Sequence, residues 1–209
     1  MKKRISLPKY AILPAIITVL THFTVYYIPM LFGRDTVRVL SSRLDESIPL
    51  VPGFVFIYVS AFVMWVVMYV YIYSMSPYMA KRMLIADLLA KGVCAVCYCL
   101  YPCTLIRPET DEIVGFGAWA LKIIYSLDKP TNLLPSMHCY MSWLCARPLL
   151  SRRAKPSPLW LKSFCTVLAI LIFVSTLFTK QHMAIDVVTG VLCAEAGWLI
   201  AGGILGKKT

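Results

Sequence analysis

The sequence predicts an all-α, polytopic membrane protein with six transmembrane helices. Three observations carry that reading: the apolar composition, the runs of bilayer-spanning length, and the one-sided placement of basic residues. Of 209 residues, 59% are hydrophobic and 15% charged, whereas a soluble domain shows about 45–50% and about 25%. Spanning a bilayer takes about 17–25 apolar residues, and such runs lie at about 11–32, 52–75, 83–105, 158–179 and 183–205. A sixth, at about 136–150, is shorter because it begins at "PSMHCYM". There is no internal repeat or low-complexity tract, so residues 1–209 read as a single integral membrane domain.

Charge gives the orientation. With the N-terminus inside, the inner segments are "MKKR" with Lys9, the turn at Lys81 and Arg82, "SRRAK", and Lys207-Lys208, and they carry eleven basic residues and no acid. The opposite loops carry seven of each sign, from Arg34 and Asp35 to Asp128, Lys129 and Lys180. A Lys/Arg bias of this size sets topology and puts both termini on the cytoplasmic side. The net charge of +11 is then a topology signal plus attraction to anionic lipid, not a nucleic-acid footprint. "MKKRISLPKYAILPA" has the look of a signal peptide, but the charge alternation reaches the C-terminus only if that first helix stays as a span.

Inside the spans, polar residues need partners. Asp87 and Lys91 are four apart and pair on one helix face, and Glu195 falls at a similar depth, so the three are expected as one buried cluster. His22, mid-span in the first helix, reads as a hydrogen-bonded core histidine. Cys94, Cys97, Cys99 and Cys103 lie within the third span and read as small packing residues, because zinc ligation needs a loop and a second ligand pair.

Three polar clusters fall instead at the outer edge: "LIRPET" ending the third span, "TNLLPSMH" opening the fourth, and "STLFTKQHMAID" joining the fifth to the sixth. Helix starts present unpaired N–H groups suited to an anion. Two such starts, at Ser136-Met137-His138 and near His182, joined by the cations Arg107 and Lys180, would hold a phosphate. His182 and Asp186 are spaced i, i+4 and share a helix face. The carboxylate would hold one ring nitrogen and leave the other free to attack phosphorus. His138, the other histidine at this level, would protonate the departing alkoxide. Arg107 would take two phosphate oxygens with its planar fork and Lys180 would add a point charge, while the Ser136 hydroxyl completes the cradle. This chemistry requires no metal and no cofactor. The segment 106–134 has the length and aromatic content either for a loop or for a surface helix serving as a lid.

The order of these motifs resembles the type-2 phosphatidic acid phosphatase superfamily, the lipid phosphate phosphatases related to vanadium haloperoxidases. Its signatures are K-x6-R-P, P-S-G-H and S-R-x5-H-x3-D. The second reads here Pro135-Ser136-Met137-His138, and the third Ser175-Thr176, five residues, His182, three residues, Asp186. Arg107-Pro108 remains of the first. The resemblance covers essentially the whole chain and implies six spans with the site at the outer face. It makes His182 the nucleophile, His138 the acid, Asp186 the orienting group and Arg107 a phosphate ligand. Three positions depart from the signatures: Leu100 stands for the lysine, Thr176 for the arginine and Met137 for the glycine. Lys180 is positioned to replace one missing cation. The expectation is a multi-pass lipid phosphatase of the cell membrane, working on the non-cytoplasmic face through a phosphohistidine on a lipid phosphate or diphosphate. Two alternatives remain: a sphingomyelin-synthase-like phosphotransferase and a non-catalytic lipid-binding or transport relative.

Overall fold

A computed structural model describes residues 7–31, 37–109, 114–151 and 157–206. Much of the basic inner-side set (Lys2, Lys3, Arg4, Arg152, Arg153, Lys155, Lys207 and Lys208) lies outside the described residues. Among those described, helix dominates: α1 (Lys9–Tyr27), α2 (Arg43–Ser47), α3 (Val55–Met75), α4 (Pro77–Leu100), α5 (Phe116–Leu127), α6 (Met137–Ala146), α7 (Leu159–Phe178) and α8 (Ala184–Ile204). Five apolar helices are long enough to cross a membrane, namely α1 extended to Leu31, α3 extended back to Pro52, α4, α7 and α8. The protein is therefore all-α and multi-pass in character.

The expected fourth span is the exception. α6 has ten residues and continues only as a four-residue 3-10 turn, Arg147–Leu150. At about 1.5 Å per residue that falls short of a bilayer of about 30 Å. α6 tolerates this because eight of its residues are buried, packed among α3, α7 and α8 rather than against lipid.

The third span begins earlier than its hydropathy suggested. Ser76 caps α4, its Oγ accepting from Met79 N–H at 3.1 Å, and Pro77 stands in the first turn. Proline costs nothing there because its missing N–H is one the helix start leaves unpaired. Lys81 and Arg82, expected in a turn, are thus helical. Arg82 stacks over Trp198, 3.9 Å from the ring centre, and donates to Trp198 O, tying α4 to α8. The two backbones meet at Gly197, where an added Cβ would lie 2.7 Å from Ala86 O.

The intramembrane charges resolve into two pairs, not one cluster. Lys91 Nζ meets Asp87 Oδ2 at 2.7 Å and also donates to Thr18 O and to Thr21 Oγ1, while Tyr69 donates to Asp87 Oδ1. That pair joins α1, α3 and α4. Glu195 is taken by Arg147 at 2.7 Å and by the Trp143 indole N–H at 2.6 Å. Equal depth placed Glu195 beside Lys91 in the sequence reading, but it faces the end of α6 instead.

Candidate functional site at the junction of α6, α7 and α8

The turn from α7 into α8 is built by a Schellman motif. Gln181 N–H donates to Thr176 O at 2.9 Å and Lys180 N–H to Leu177 O at 3.1 Å, satisfying the last carbonyls of α7. The pattern needs a left-handed residue, and Lys180 supplies it at φ 49°, a conformation that costs an L-residue about 1–2 kcal/mol. His182 follows at once, its N–H also on Thr176 O, and so stands just before α8 instead of on a face of it.

The His182–Asp186 contact survives through a different geometry. Asp186 occupies the third position of α8, and its Oδ2 turns back to accept the Met183 N–H at 2.9 Å. The same oxygen lies 3.3 Å from His182 Nδ1. A capping carboxylate thereby doubles as the group that orients the imidazole, leaving Nε2 as the nitrogen not engaged by Asp186.

The Asp186 carbonyl reaches further, accepting the Ser136 N–H at 3.0 Å. This bond joins the start of α6 to the start of α8. It is possible because residue 190 is glycine: a Cβ there would lie 2.6 Å from Ser136 O. Ser136 is fully buried and its Oγ accepts the Cys139 N–H at 3.3 Å, so its hydroxyl serves as the N-cap of α6. With the two starts joined, the rings of His138 and His182 lie 5.9 Å apart between centres. His138 is stacked on Tyr58 at 4.3 Å and tilted against Trp65 at 5.0 Å.

Both histidines line a recess of about 310 Å³ bounded by α1, α3, α5 and the loop before α6. His22, Thr131 and Gln181 line it too. Four of the residues lining it carry a buried polar atom that has no hydrogen-bond partner among the described residues: His22 Nδ1, Thr131 Oγ1, His138 Nε2 and Gln181 Nε2. Natural proteins leave few such atoms, and four of them belong to residues around this one cavity. His22 is consequently not the satisfied core histidine that its mid-span position implied. Asp128 also faces the recess, each carboxylate oxygen accepting one tyrosine hydroxyl at 2.7 Å, from Tyr26 and from Tyr58.

The two expected phosphate cations stand outside that recess. Arg107 caps the end of α5, donating to Asp128 O at 2.7 Å and Tyr125 O at 3.3 Å, and its guanidinium stacks on the Tyr125 ring. It also donates to Gln181 Oε1, beside His182. Burial pulls its pKa below the usual arginine value, with Asp128 opposing. Lys180 extends the other way. Its Nζ donates to Asp45 O at 2.7 Å and to Ile48 O, in a second cavity that His182 shares. The Asp45 carboxylate accepts the Ala184 N–H at 2.8 Å. The segment carrying α2 therefore straps across the start of α8, held at one end where β1 (Arg38–Val39) pairs with β2 (Cys103–Thr104). Among the described residues, the N–H groups expected to await an anion are met from within the chain at Met183, Ala184 and Cys139.

Sequence reasoning missed Tyr26, Tyr58, Asp128, Thr131, Gln181 and Asp45. Thr131 and Gln181 lay inside the outer-edge clusters "TNLLPSMH" and "STLFTKQHMAID", and Asp128 stood three residues before the first of them. Segment 106–134 contains α5, whose buried Ala118 and Leu121 pack toward α3 while Phe116 and Trp119 stay exposed. Its last turn, through Ile124 and Leu127, forms one wall of the recess.

A family model described as the PAP2 superfamily matches residues 83–208, more than half of the chain and all three histidine-and-aspartate positions from His138 onward. No curated protein and no solved structure matches.

Proposed function

The chain belongs to the PAP2 superfamily, a family of phosphatases, and on that premise we propose that it is an integral membrane lipid phosphatase. The reading has His182 attack a lipid phosphate or diphosphate. The observation that carries it is the recess lined by both His138 and His182, with Asp186 holding the Nδ1 side of His182. Ring centres 5.9 Å apart bring one phosphoryl group within hydrogen-bonding and attacking reach of both.

In the proposed sequence His182 Nε2 forms a bond to phosphorus as the bond to the lipid oxygen breaks. His138, which burial favours in the neutral form and which gains a proton only as the negative charge of the bound phosphate enters beside it, passes that proton to the departing oxygen. The Nδ1 proton stays on the Asp186 side, so charge developing on the imidazole is balanced where it forms. Neutral His138 then takes a proton from water, whose oxygen attacks phosphorus and releases phosphate from nitrogen. Among the residues expected to bind phosphate, Ser136 supports the α6 start that presents His138. Arg107 acts from the Gln181 side, and Lys180 places its charge on the outer side of His182. These roles need no metal. The proposed topology has six crossings, counting the short α6, both termini inside, and the site on the outer face of the cell membrane.

A second reading has support from one feature. The recess runs past the histidines to His22, leaving room for a lipid alcohol to replace water as the acceptor, which would make the protein a phosphotransferase. Phosphate release from a panel of lipid phosphates, with EDTA present, comparing wild type with His182→Ala, separates these readings. Release lost in the variant supports the hydrolase. Product that forms only with an added alcohol supports the transferase. Activity untouched by the substitution defeats both.

A further inference from the structure

α1 is lipid-facing along much of its length, with Leu13, Leu20, Phe23 and Tyr27 exposed. It turns one polar stripe inward, Thr18, His22 and Tyr26, spaced i, i+4, i+8 and so on one face. The two ends of the stripe are satisfied. Thr18 meets Tyr73 Oη and its carbonyl accepts from Lys91, while Tyr26 donates to Asp128. His22, between them, is not: its buried Nδ1 has no partner among the described residues, and its ring lies 6.2 Å from that of Trp65 at the wall of the recess. Across the same cavity Thr131 Oγ1 is likewise buried and unpartnered. An unmet buried polar group is costly to the folded chain, a cost that a bound ligand's hydrogen bond removes.

We propose that His22 is a substrate-binding residue. With Thr131 it forms a second polar pole of the recess, which hydrogen-bonds an uncharged, oxygen-bearing part of the lipid flanking the phosphate. The proposal rests on the recess being the substrate site. The partner chemistry follows from the charges nearby. Lys129 is the one Lys or Arg lining the cavity among the described residues, and Asp128 faces it with both oxygens already committed to tyrosines. A second anionic group at this pole would lack compensation, whereas hydroxyl or ester oxygens suit an imidazole nitrogen and a threonine hydroxyl. His22 also lies before the family-matched residues 83–208, so this pole is contributed in part by a segment outside that match.

Such oxygens come either from a headgroup beyond the phosphate or from the glycerol backbone before it. The test uses the full chain in detergent micelles with dioctanoyl phosphatidic acid and dioctanoyl phosphatidylglycerol. Binding is read by tryptophan fluorescence in the His182→Ala background, and turnover in the His182 enzyme. His22→Phe keeps ring and volume but removes the hydrogen bond. It should weaken binding about fivefold to tenfold and raise KM by a similar factor with kcat changed less. His22→Asn, which keeps a polar atom near the Nδ1 position, should recover most of that loss. Weakening confined to phosphatidylglycerol assigns the pole to the headgroup, and weakening with both lipids assigns it to the backbone. Unchanged affinity for both lipids in a folded His22→Phe overturns the inference. If that variant does not fold, Thr131→Val takes its place with the same expected loss. Failure of the His182→Ala protein with His22 intact to bind either lipid also overturns it. Binding without turnover would instead count against the proposed catalysis while leaving the His22 result to be read.

Discussion

The two sides of His182 are built on opposite terms. Toward α1 and α3 lies a recess lined by four residues whose buried polar atoms have no hydrogen-bond partner among the described residues. Toward α2 the polar groups answer one another: Lys180 is held by two carbonyls, the α8 start by Asp45, and Asp186 closes back on Met183. Unsatisfied polarity is a cost that folding alone does not return, whereas a mutually satisfied network adds stability to the native chain. The comparison teaches that one side leaves polar groups open while the other spends them on holding the His182 turn in place.

Gly190→Ala should break the open side most severely. The added Cβ, 2.6 Å from Ser136 O, would part α6 from α8 and loosen the Ser136–Asp186 bond that sets His138 against His182. Activity is expected to fall about a hundredfold, since displacements of about 1 Å carry that penalty. Overpacking should lower stability by about 1–3 kcal/mol. Phosphate release and thermal unfolding of the same preparation check both figures, and an active, stable variant would deny that this contact sets the site.

Lys180→Met attacks the holding side. Losing a charged donor from two carbonyls should cost about 2 kcal/mol in thermal unfolding. KM should rise only about threefold, as expected for a screened charge acting from outside the recess. A tenfold rise in KM at undiminished stability would instead put the ammonium on the phosphate itself and erase the contrast between the sides.

Asp45→Ala gives the smallest effect, a lost cap on α8 worth about 1 kcal/mol, with kcat/KM within about twofold of wild type. Faster turnover in this variant would show that the strap obstructs access to His182.

How legible was this in the sequence? The spans were, because lipid demands runs of apolar residues long enough to satisfy their own backbone. The five long helices follow those runs to within a few residues, except where Ser76 and Pro77 started α4 early. α6 was harder to see, since a helix surrounded by protein need not have bilayer length. The pairing of His182 with Asp186 was readable from spacing, although the helix face inferred for it proved to be a cap. Glu195 was misassigned because depth can be counted along a helix, but rotation toward α4 or α6 cannot.

What the sequence by itself determined is the all-α membrane architecture and the histidine–aspartate set. Hydropathy and local spacing act over a few turns and need no knowledge of distant residues. Tertiary structure alone decided which polar groups are spent and which are left open. Lys180, Asp45 and Arg107 are consumed by carbonyls and N–H groups far along the chain, while His22, Thr131 and Gln181 meet at a cavity that exists only once α1 packs beside α3 and α4. Hydrogen-bond satisfaction is a property of which atoms meet in space, and no local pattern in the sequence encodes it.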